Sequence, residues 1–111
     1  MLRWSAQETH RPVDLAGIVD DRVDPLVPGG RELVALGRAA AERTADRRAF
    51  DDVARLIGVA PAFDAAGVAA NFEIMNRVVD AVGLPVGRKR REDEAELIDL
   101  LGLGAFPHAI L

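Results

Sequence analysis

The stretch Pro61 to Gly83, PAFDAAGVAANFEIMNRVVDAVG, constrains the fold of this chain more than any other. Proline is tolerated in a first helical turn, and glycine is the favoured left-handed residue just past a helix end. The two residues therefore bracket one helix of about six turns. Within it Val68, Phe72, Met75, Val79 and Val82 repeat at alternating steps of four and three, and Ile74, Val78 and Ala81 form a second ridge beside them. A stripe that broad is expected to be buried on more than one neighbour, at the centre of the core.

The other face of this helix carries Glu73, Asn76, Arg77 and Asp80. Glu73 and Arg77 are spaced i,i+4 and Arg77 and Asp80 i,i+3, so ion pairs worth about 0.2–0.5 kcal/mol each are expected there. Asn71 falls near the middle of the apolar face, and a buried amide without hydrogen-bond partners costs about 1–3 kcal/mol. It is expected either to bridge a neighbouring loop inside the core or to fix the register of an oligomeric helix seam.

A chain of 111 residues has room for one domain, 1–111, with one core. Half of it is hydrophobic but only 5% is aromatic, which suits closely packed helices with Ala, Val and Leu between them. The expected fold is all-α, a small bundle of about five helices around the long helix 61–83. Residues 1–11 show no period and read as an extended arm anchored by Trp4. Pro12 to Asp24 reads as a helix on Leu15, Val19 and Val23, ended by the Asp24-Pro25 and Pro28-Gly29-Gly30 breaks. A second helix is expected from Arg31 to Thr44. A third, capped by Asp46, carries the face Phe50, Val53, Ala54 and Ile57, and Gly58 ends it. Residues 87–111 read as a charged linker on Arg88 to Arg91, a short helix to Leu101, and an apolar tail, with Phe106, Ile110 and Leu111, that docks on its own domain or on another subunit.

The chemical inventory is thin. There is no Cys and no Tyr, and Ser5, Thr9, Thr44 and Lys89 have no histidine beside them in an activating arrangement. His10 and His108 lie near opposite termini with no metal-ligand spacing, so neither a metal nor another cofactor is expected. The adjacent acids Asp20-Asp21 and Asp51-Asp52 would point about 100° apart on a helix. The candidates for chemistry are Glu73, Arg77 and His108. No run approaches the ~20 apolar residues of a membrane span and the first residues carry no apolar signal segment, so a cytoplasmic protein away from the membrane is expected. A net charge of −4, and the acidic residues that follow Arg88 to Arg91, disfavour nucleic acid as a partner.

The segment AANFEIMNRVVDAVGLPV resembles one in the alkylhydroperoxidase D-like and carboxymuconolactone decarboxylase-like family, on Phe72, Asn76, Arg77, Asp80, Ala81 and Gly83. The preceding RRAFDDVARLIGVAPAFDAAGVA resembles the helix, glycine turn and helix that lead into it, so the likeness covers residues 31–86, the C-terminal half of the family's fold. It implies an all-helical protein, commonly a dimer, trimer or hexamer built from the long helices, with Asn76, Arg77 and Asp80 as an internal polar network. The family's thiol members use two cysteines separated by two residues, with a histidine and a glutamate, and this chain has no such motif. Thiol peroxidase activity is therefore not expected. The expected function is a non-redox, oligomeric binding or structural module, a homo-oligomer through the central helix and the C-terminal tail. The alternative is a cysteine-independent lyase or isomerase acting on a small organic acid, with Arg77 holding a carboxylate and Glu73 or His108 moving a proton.

Overall fold

The computed structural model describes residues 2–44, 46–84 and 87–105. Its α-helices are α1 (Leu2–Glu8), α2 (Gly30–Glu42), α3 (Arg47–Ile57), α4 (Val59–Val82), α5 (Arg88–Asp93) and α6 (Ala95–Leu100), with short 3₁₀ turns at Leu15–Ile18 and Leu103–Ala105. No strand occurs among the described residues, and the fold is all-α. The chain divides into two compact units, Met1–Glu73 and Ile74–Leu111. Residues 59–73 of α4 belong to the first and residues 74–82 to the second.

The core of the first unit sits between α2 and α3. Asp46 caps α3 as its position suggests, its carboxylate accepting the Arg48 N–H at 2.9 Å. The face spaced i, i+3, i+4, i+7 then turns inward: Val53 is fully buried, and Phe50, Ala54 and Ile57 pack around it. Leu36 from α2, Ala49 and Ala62 complete the buried cluster, with Leu33, Ala39 and Ala65 against it. At the rim the Phe50 and Phe63 rings meet edge to face at 5.0 Å, and the Arg47 guanidinium lies 5.4 Å from the Phe50 centroid.

The first thirty residues depart from expectation. Residues 2–8 form a helix rather than an extended arm, and Trp4 is 65% exposed, so it is not a buried anchor. The helix expected over Pro12 to Asp24 is only the single 3₁₀ turn Leu15–Ile18. Asp14 accepts the Ala16 N–H, and Asp20 accepts the N–H of Arg22 and both its Nε and its Nη2. Such short aspartate loops offer the backbone an alternative to helical bonding. The Asp14 N–H meanwhile donates to the Pro25 carbonyl, folding the segment back on itself. Pro25 is buried between two glycines. A Cβ on Gly17 would lie 2.7 Å from its Cγ and 2.9 Å from its nitrogen, and one on Gly30 would lie 3.0 Å from its Cβ.

Helix ends follow one pattern with different residues. At the end of α4, Gly83 has φ +61°, its N–H donates to the Asp80 carbonyl and the Leu84 N–H donates to the Val79 carbonyl. This is the paired C-terminal cap that glycine favours. Arg43 closes α2 in the same way with φ +55°, its N–H reaching Ala40 and the Thr44 N–H reaching Ala39, so α2 stops short of Thr44. His10, with φ +52°, ends α1 through bonds from its own N–H to Gln7 and from Arg11 to Ala6.

In the second unit the basic run is not a linker. Arg88 to Arg91 lie in α5, with Arg88 Nε 3.8 Å from Glu92, and α6 follows after Glu94. Leu97, Ile98 and Leu101 are half-buried, whereas Leu100 and Leu103 are exposed. The tail from Phe106 to Leu111 lies outside the described residues.

Gly17→Ala should lower the unfolding free energy by about 1–3 kcal/mol, because the new methyl overlaps Pro25. Arg43→Gly should raise it by about 1 kcal/mol, since an L-residue held left-handed costs about that much. Urea denaturation of each variant beside the parent chain measures both.

Candidate functional site

α4 meets the rest of the first unit with its small residues. At about 100° per residue, Ala62, Ala65, Ala66, Ala69 and Glu73 share a sector about 100° wide. Ala62 is fully buried and the other four are half-buried. It is this side that faces the cluster around Val53.

The large residues are on the remaining face, about 180° wide. Val68, Phe72, Met75, Val79 and Val82 range from 41% to 63% exposed, and Ile74 and Val78 on the second ridge are 65% and 58% exposed. The stripe expected at the centre of the core is therefore outside it within a single chain. The residue the core takes most fully from this helix is Ala62. Asn71 lies in the middle of the exposed face and is itself exposed, so it is not a buried amide within the single chain.

The other candidate residues scatter. Glu73 is half-buried, and its Oε1 lies 3.4 Å from Nη2 of Arg43, thirty positions earlier at the end of α2. No local spacing marks that pair, because it depends on where α2 stops. Asn76, Arg77 and Asp80 follow on α4 and are all exposed. His108 lies outside the described residues. His10 is exposed and serves as the left-handed cap of α1. Among the described residues no group of three or more His, Cys, Asp or Glu is placed to hold a metal ion.

Concave surface occurs elsewhere in the first unit. One open cleft of about 230 Å³ has Asp21, Val23, Arg31, Val34 and Arg38 in its lining. Its two guanidiniums are already engaged by one residue: Arg31 donates to the Asp21 carbonyl at 2.5 Å and Arg38 to the Asp21 carboxylate at 3.4 Å. A second, of about 290 Å³, is lined by Glu32, Asp52, Arg55 and Leu56, with Asp52 and Arg55 3.0 Å apart. Neither has Glu73 or Arg77 in its lining.

Near the first cleft, Arg22 holds the Asp20 carboxyl below its usual range, first through its side-chain hydrogen bonds and then through its backbone N–H. A carboxyl shifted downward is the wrong way round for a general acid at neutral pH. Arg22→Ala should raise the Asp20 pKa toward the ordinary aspartate value, as followed by NMR titration of its carboxyl carbon. Comparison of the whole chain with protein-family models, with characterised proteins and with solved structures gives no match.

Proposed function

We propose that this chain is a self-associating helical module without redox chemistry, and that the exposed apolar face of α4 is its working surface. One observation carries the reading: Val68, Phe72, Ile74, Met75, Val78, Val79 and Val82 are all between 41% and 65% exposed on one helix. Contiguous apolar surface of that kind marks an interaction site. Covering the exposed parts of these side chains is worth on the order of 5–10 kcal/mol per chain. Two chains together thus offset an association cost of about 4–15 kcal/mol.

On this reading the bundle around a long central helix is completed by assembly. α4 lends its alanines to its own chain and its larger residues to another copy. The likeness of residues 31–86 to the alkylhydroperoxidase D-like and carboxymuconolactone decarboxylase-like family supports an oligomer built on long helices. The absence of cysteine agrees with a role that is not thiol chemistry. The lyase reading has less behind it, since Glu73 lies against Arg43 and neither cleft described above includes Arg77.

Sedimentation velocity at tens of micromolar should give an integral multiple of the chain mass. The double variant Phe72→Glu, Val79→Glu should sediment as a monomer with its helical circular dichroism kept, because both side chains are already about half exposed in the single chain. A monomeric parent chain would end the proposal.

A further inference from the structure

We infer that the open cleft of the first unit, between α2 and the loop that carries Asp21, binds a small monocarboxylate with a short aliphatic body, and that the Asp21 carboxylate is a built-in competitor for that ligand. Every residue concerned lies within the first unit, so the site is independent of the self-association proposed above.

The first argument is convergence. Arg31 and Arg38 are spaced i,i+7 on α2, which sets them on one side of the helix two turns apart with Val34 and Ala35 between them. Across the cleft of about 230 Å³ both reach a single residue: Arg31 donates to the Asp21 main-chain carbonyl and Arg38 to the Asp21 carboxylate. The next arginine of that loop is differently placed. Arg22 is taken up by Asp20, which accepts its backbone N–H, its Nε and its Nη2. The charge lining the cleft is therefore that of Arg31, Arg38 and Asp21.

The second argument is how unequally Asp21 is held. Its contact with Arg38 is 3.4 Å, long for a charge-assisted hydrogen bond, and the two side chains are 44% and 78% exposed. Pairs of that kind contribute little, so a ligand displaces the carboxylate readily. Arg31 grips the backbone instead, and that bond survives the displacement. The wall of the cleft thus stays in place while Arg38 turns its fork to the newcomer. A guanidinium carries five donors in a geometry that matches a carboxylate through two parallel bonds, and the contact with Asp21 uses one of them.

The third argument selects the ligand. Two guanidiniums against one carboxylate leave a single positive charge, which a monoanion balances and a phosphate dianion would exceed. Val23, Val34 and Ala35 line the same cleft and give an alkyl chain an apolar surface. A carboxylate on a short aliphatic body meets both conditions.

Hexanoate titrated into nitrogen-15-labelled protein should shift the amide signals of residues 17–23 and 31–38 saturably, with a dissociation constant on the order of millimolar. Arg38→Gln should weaken this binding about tenfold or more, since it removes the charged fork. Asp21→Asn should tighten it about two- to fivefold, because the competing charge is lost while the carbonyl that holds Arg31 remains. Both positions are exposed, and unchanged signals from Leu36 and Val53 show that each variant keeps the fold. Hexanol and inorganic phosphate should each bind more weakly than hexanoate. No saturable shift with hexanoate at tens of millimolar would overturn the inference, as would equal affinity in Arg38→Gln and the parent chain. Hexanol binding as well as hexanoate would remove the role of charge, and phosphate binding more tightly would overturn the ligand class. Weaker hexanoate binding by Asp21→Asn would show that Asp21 does not compete.

Discussion

The first unit depends on α2 packed against α3 around the fully buried Val53, a cluster that α4 meets with alanine. Ala62 is fully buried beside the fully buried Val53, and Ala65 packs against the same cluster. Because the small side of the helix is used for this contact, the valines, the isoleucine, the methionine and Phe72 are turned outward. A monomer organised this way leaves its best apolar material in water. Each such side chain is worth about 1.5–3 kcal/mol when fully buried, so the arrangement makes physical sense as one half of an interface.

The same constraint explains what was legible in the sequence. The long helix, its glycine cap, the Asp46 cap and the inward face of α3 all rest on local signals: a period, a capping side chain, a residue that accepts positive φ. These agree with the structure. The choice of which α4 face packs inside the chain is not local. Both the alanine side and the large-residue side are apolar, and hydrophobicity alone favours burying the larger. The cluster around Val53 takes Ala62 and Ala65 instead.

Where α1 and α2 end was hidden for a related reason. His10 and Arg43 occupy the left-handed position that glycine usually takes. Nothing in either residue type announces a stop, so α2 reads as continuing to Thr44 and α1 does not stand out from its surroundings. The Pro12 to Asp24 helix failed in the opposite sense. Its four-residue spacing was present, but Asp14 and Asp20 bind backbone N–H groups two positions on and take the chain out of helical geometry. Of the candidate site, Glu73 reads with Asn76, Arg77 and Asp80 as one polar face, whereas the structure half-buries Glu73 and leaves the other three exposed. Its contact with Arg43 was invisible because it is fixed by tertiary packing.

The central claim is that residues 68–82 are exposed in one chain and covered by association. Amide hydrogen exchange measured across a wide range of protein concentration tests this most directly, since it reads the backbone segment by segment without altering any residue. Protection of the peptides spanning 68–82 should rise steeply with concentration, while that of the α2 and α3 peptides around Leu36 and Val53 changes far less. Exchange across 68–82 that is the same at every concentration would contradict the account.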